Sequence, residues 1–149
     1  MNTGSFSQPT LWRTCRALAN RTRLQICGLL FRQPGQTVSA LAETLGLSLS
    51  LASQYLRALE SRGLLEARRE GRSVTYRPAP VATPAAGLVA ALRLVFGKHD
   101  NPVETIFKTV TAFTHPRRIE IFGALTKGGQ SLVKLRTVTY VPYLHCTVT

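Results

Sequence analysis

Residues 37 to 77 read as two short helices joined at a glycine and followed at once by a hairpin, an order that leaves few ways to build a core. Thr37 caps a helix through Leu45 whose Val38, Leu41, Ala42 and Leu45 face inward. Gly46 ends that helix in the left-handed conformation glycine adopts freely. Ser48 or Ser50 caps the next helix, whose inner side is Leu51, Ala52, Tyr55, Leu56 and Leu59, before Gly63 closes it. A tight turn between two such helices makes a helix-turn-helix. Leu64 to Arg69 and Ser73 to Arg77, joined by Glu70-Gly71-Arg72, then form the hairpin, or wing.

Upstream, Leu11, Trp12, Cys15 and Leu18, with Ala19, recur at helical spacing, and Asn20 caps a second helix running to about Phe31. Gln33 to Gln36 is a turn. Residues 1 to 9 carry no apolar period and are expected to form a flexible arm. Pro78, Pro80 and Pro84 mark a linker, after which Ala85 to Phe96 is a helix, Gly97 to Pro102 a break, and Val103 the start of a further segment.

The two halves repeat. At an offset of 95, Ala17, Arg23, Ile26, Gly28 and Leu30 coincide with Ala112, Arg118, Ile121, Gly123 and Leu125. With one residue deleted in the turn, Gly35, Gln36 and Leu41 coincide with Gly129, Gln130 and Leu135. Pro116 takes the first-turn position that proline favours. The copy is incomplete, because residues 144 to 149 stand where its second recognition helix is only starting. The division is therefore an arm (1–9), a winged helix-turn-helix domain (10–80), a linker and dimerisation helix (81–101) and a partial second winged-helix copy (102–149). The fold class is mainly α with a small β-hairpin.

Charge narrows the partners. The net charge is +12, and residues 1 to 80 hold eleven arginines, four glutamates and no lysine. A polyanion is the natural partner. On the second helix of the pair, Ser48, Ser50, Ser53, Gln54 and Arg57 are short hydrogen-bonding groups or long cations, the types that reach base edges and phosphates from the major groove. Gln54 can address adenine through its amide, and Arg57 a phosphate or guanine. Arg68, Arg69, Arg72 and Arg77 crowd the hairpin, where their mutual repulsion is relieved by phosphate. Ser48 also has a purely structural reading as a cap.

Leu18-Ala19-Asn20-Arg21-Thr22-Arg23-Leu24, Leu41-Ala42-Glu43, Gly46-Leu47-Ser48, Tyr55-Leu56-Arg57-Ala58-Leu59-Glu60, Arg62-Gly63-Leu64-Leu65 and Arg68-Arg69-Glu70-Gly71-Arg72 together resemble the arsenic-repressor (ArsR) family of bacterial regulators. The resemblance covers about residues 10 to 80 and implies a homodimeric repressor on a palindromic operator of double-stranded DNA. Metal-sensing members place Cys-Val-Cys where this chain has Thr37-Val38-Ser39, and the second familiar site is reduced to adjacent His99 and Asp100, so no metal and no other cofactor is expected. Leu49 and Leu51 replace residues that are often polar in the family. Either fewer bases are read directly, or one leucine packs on a thymine methyl.

The dimer surface is expected to be the first helix with Ala85 to Phe96. Cys15, Cys27 and Cys146 form no CxxC pair, and no signal core or membrane-length apolar stretch is present, which fits a reducing cytoplasm. No nucleophile stands beside a histidine in a recognisable motif and no phosphate loop occurs, so no enzyme is expected. The competing reading is a scaffold of tandem winged-helix units with vestigial DNA binding.

Overall fold

Asn20 shows how local chemistry sets the helix starts. Its backbone is extended, and its side-chain oxygen accepts from the Arg23 N–H at 3.0 Å, satisfying one of the free donors of the helix that follows. The computed structural model describes residues 11–80, 83–129, 131 and 134. In chain order these form α1 (Leu11–Leu18), α2 (Arg21–Arg32), β1 (Gln36–Thr37), α3 (Val38–Leu45), α4 (Leu49–Glu60), β2 (Leu65–Glu70), β3 (Ser73–Pro78), α5 (Ala86–Lys98), α6 (Pro102–Ala112) and α7 (Pro116–Leu125).

The same rule starts α3 and α4. Thr37 accepts from the Ala40 N–H and Ser48 from the Leu51 N–H, both at 3.2 Å, so Ser48 rather than Ser50 is the cap of α4. Gly46 lies at φ +64° between them, where any side chain would be strained.

The sheet is three-stranded and antiparallel, in the order β1-β3-β2. Gln36 and Thr37, which read as turn and cap, also pair as β1 with Tyr76 and Thr75. Their strand exists because β3 offers them partners, a long-range cause that local reading does not see. In the wing, Glu70 faces Ser73 across a two-residue loop, with Gly71 at φ +63°.

Leu18, Leu24, Ile26, Leu30, Leu41, Leu56, Leu59 and Leu64 are fully buried side chains that unite α1 to α4 with the root of the wing. Cys15 and Cys27 belong to the same core as free thiols. Burial pushes the Cys27 thiol up to about 12 and raises that of Cys15 as well. The folded chain thus holds the Cys27 proton after an unfolded chain has released it, so this stabilising term is complete below about pH 9 and is lost as pH rises towards 12. Cys27 should accordingly resist thiol reagents at neutral pH until the chain is unfolded. A disulfide-exchange assay that labels it at the rate of an exposed thiol would contradict this.

α5 runs through Gly97 to Lys98, so the break lies at residues 99 to 101, and α6 starts at Pro102. Phe31 of α2 stacks on Phe96 of α5 at 5.7 Å between ring centroids, and a Cβ at Gly28 would lie 2.9 Å from the Phe96 ring. α6 then lies against α1, α2 and α5. It covers part of the surface expected to face a second copy, while Gly87, Ala90, Ala91 and Leu94 stay exposed along α5. The expected arm (1–9) and the expected start of a second recognition helix (144–149) lie outside the described residues.

Candidate nucleic-acid interface

α4 is held by its inner face and leaves its outer face bare. Ala52, Leu56 and Leu59 are buried, whereas Ser50, Gln54 and Arg57 are exposed at spacings of four and three, one row along the helix. Ser48 is exposed but its hydroxyl oxygen is engaged in capping, and Ser53 is half-buried beside the row. Leu49 is 60% exposed at the first turn, a large apolar group presented to solvent, while Leu51 is half-buried.

Arg23, part of both the repeat and the Leu18-to-Leu24 motif, helps to seat this helix. Its Nη1 donates to the Ala17 carbonyl at 2.9 Å, and its guanidinium lies 5.1 Å from the centroid of Tyr55 on α4. One cation therefore ties the end of α1 and the start of α2 to the exposed helix. The helical period that places Tyr55 inward gave no hint of a cationic partner.

The four wing arginines are not equivalent. Arg77 donates through Nε to Glu66 Oε2 at 3.0 Å and is half-buried, and Arg68 Nε lies 3.7 Å from the same carboxylate oxygen. The hairpin register pairs Glu66 with Arg77 directly, so this contact was readable from the strand alignment. Arg69 and Arg72 are exposed, with Arg72 at the loop itself. Glu66 thus engages Arg68 and Arg77 at the root of the wing, while Arg69 and Arg72 stand at its tip with Glu70 between them in sequence and form no ion pair among the described residues.

A second ion pair lies away from the wing. Arg21 at the start of α2 forms a bidentate bridge to Glu104 of α6, at 3.0 and 3.1 Å, and its guanidinium lies 3.9 Å from the Phe107 centroid. The bridge holds the Glu104 carboxyl below its usual range and raises Arg21. Among the described residues, no group of three or more His, Cys, Asp or Glu side chains is placed to hold a metal ion. Among the described residues, no helix is long and apolar enough to cross a membrane.

A family profile described as winged helix-turn-helix DNA-binding matches residues 19–66, the stretch from the end of α1 to the first residues of the wing. Nodulation protein NolR of Rhizobium meliloti is 33% identical over 88 residues, covering 59% of this chain and 70% of NolR. The solution NMR structure of the homodimeric winged helix-turn-helix DNA-binding domain of Mb0332 from Mycobacterium bovis, a possible ArsR-family transcriptional regulator, is 43% identical. It superposes with a TM-score of 0.51 and covers 61% of this chain and 82% of that one.

The chain belongs to the winged helix-turn-helix DNA-binding proteins. The HTH-type transcriptional regulator Rv0324 of Mycobacterium tuberculosis is also similar, at 45% identity over 87 residues, or 58% of this chain. The match spans only 37% of Rv0324's own length. In that arrangement α3 and α4 are the helix pair and the β2–β3 hairpin is the wing.

Proposed function

We propose that the chain is a sequence-specific, double-stranded DNA-binding repressor of the ArsR type, acting as a homodimer in the cytoplasm without a metal or other cofactor. The observation that carries this reading is the bare row Ser50, Gln54 and Arg57 on α4, accompanied by a wing whose tip carries Arg69 and Arg72. Gln54 reads a base edge, and Ser50, Ser53 and Arg57 set the helix in the groove by bonds to base or backbone. Arg69 and Arg72 neutralise phosphates, with Arg68 and Arg77 as weaker contributors because Glu66 already engages them. Ser48 serves mainly to start the helix. Leu49 supplies an apolar contact to a thymine methyl, the second of the two readings open to it.

The homodimer is proposed to form along the exposed α5 row of Gly87, Ala90, Ala91 and Leu94, whose small residues permit close approach. An apolar groove beside that row, lined in part by Leu11, Pro84, Ala85 and Leu88, extends the surface to the start of α1. Footprinting on a bound duplex should then show two protected segments about one turn, roughly 10 bp, apart. Sedimentation of only monomer at micromolar concentration, or a single protected segment, would contradict the dimer.

Residues 102 to 149 are proposed to be a partial second winged-helix unit. In support, Arg118, at the place of Arg23, also donates through Nη1 to a carbonyl of the preceding helix, that of Thr111 at 3.2 Å, one residue before the position that matches Ala17. His115, at the place of Asn20, accepts from the Arg117 N–H and caps α7. Phe122 and Leu125 are 42% and 46% exposed, whereas Cys27 and Leu30 at the same places in α2 are fully buried. That difference is what the scaffold reading has in its favour; a truncated chain of residues 1 to 100 that keeps specific binding would set that reading aside.

A further inference from the structure

We infer that the groove between α1 and the α6–α7 turn is a binding site for a small aromatic anion, a planar ring carrying a carboxylate or a phosphate. The groove has a volume of about 850 Å³ and is lined by Trp12, Arg16 and Ala19 on one side and Thr114, His115, Pro116 and Arg118 on the other. Arg16, Arg118 and Trp12 line one space, and none of the described residues lining it is a carboxylate. Like charges brought together this way repel until an anion enters between them.

Each wall contributes a different kind of recognition. Arg118 uses Nη1 on the Thr111 carbonyl, which fixes the side chain and leaves its other donors for a ligand. Arg16 is exposed and forms no ion pair among the described residues. His115 accepts from the Arg117 N–H through Nδ1, so its ring proton sits on Nε2, a further donor. Trp12 supplies an apolar ring, half-buried, with Arg13 lying 5.2 Å from its centroid. Arginines fork well onto a carboxylate or phosphate, and an indole face accepts a planar ring, so the two chemistries together select a charged aromatic molecule over an inorganic ion.

The position gives such binding a consequence. α1 belongs to the winged unit and the α6–α7 turn to the segment packed across α1, α2 and α5, so a ligand held by both walls fixes one against the other. Occupancy of the groove is separable from DNA binding, because none of its lining residues lies on α4 or the wing.

Trp12 is the single tryptophan of the chain, which makes its fluorescence a local probe. The full-length protein is titrated with benzoate, phenyl phosphate and the neutral analogue benzamide. One or both anions should give a saturable change that benzamide does not, and the stronger of the two identifies the charged group. Arg16→Gln and Arg118→Gln should each raise the half-saturating concentration by about tenfold or more, the loss of one charge-assisted bond. Should Arg118→Gln also loosen α7 through its lost Thr111 bond, Arg16→Gln gives up no such bond and decides alone. No saturable change, an equal response to benzamide, or Arg variants that bind as well as the parent would overturn the site. So would a short random duplex that alone produced the Arg16- and Arg118-dependent change, since the groove would then be a DNA contact.

Discussion

Replacing Leu56 with alanine should lower the free energy of unfolding by about 2 to 5 kcal/mol, the range for emptying a leucine's place in a packed core. Leu56 is fully buried on α4 and belongs to the cluster that joins Leu24, Leu30 and Leu41 to the root of the wing. The cost combines lost transfer of the apolar atoms with the cavity left where surrounding helices cannot close in. Against a total stability of roughly 5 to 15 kcal/mol for a domain, such a loss is large. Urea unfolding followed by circular dichroism would measure it. A change below about 1 kcal/mol would mean that α4 is not seated on this core, and the orientation of its outer row would lose its basis.

The second large effect separates reading from holding. Gln54→Ala should cost about 1 to 3 kcal/mol of discrimination between the preferred duplex and one altered at the contacted base, because an amide lost from the groove removes a paired donor and acceptor. Arg72→Ala should weaken binding to all duplexes alike and reduce the slope of log K against log salt by about one, because one phosphate contact disappears. The geometry supports the division: Gln54 lies in the exposed row of α4, whereas Arg72 occupies the hairpin loop. Competition titrations at several salt concentrations would check both. A Gln54→Ala chain with unchanged preference, beside an Arg72→Ala chain with altered preference, would transfer the reading role from helix to wing.

Most of the winged unit was legible because its signals are local. Asn20, Thr37 and Gly46 each act within four residues of where they stand, and Glu70-Gly71-Arg72 carries its own turn. The strand Gln36–Thr37 was not, since its partners Tyr76 and Thr75 are far along the chain. Gly97 read as a breaker, yet α5 passes through it, because one glycine in a helix costs only about 1 kcal/mol and the hydrogen-bond ladder continues.

The exposed row of α4 was legible, and the balance of charge around it was not. The periodicity that put Leu56 inside put Gln54 and Arg57 outside, as described above. That Arg77 is engaged by Glu66 follows from the register of β2 on β3, a signal present in the sequence once the turn is fixed. By contrast, the Arg21–Glu104 bridge joins residues 83 positions apart, and nothing in either segment names the other. The same distance hid the groove at Trp12, whose two walls come from separate halves of the chain. His115 caps α7 by accepting from the Arg117 N–H, a role unusual for histidine that the sequence reading did not name.

The most direct test of DNA reading is a salt-dependent competition titration of the full-length chain on a duplex selected by it from a random pool, against a scrambled duplex of equal length. Binding to the selected duplex should be at least about a thousandfold tighter at physiological salt, with the logarithm of both affinities falling linearly with log salt as phosphate contacts are lost. Equal affinity for the two duplexes, or no measurable binding to either at low salt, would contradict it.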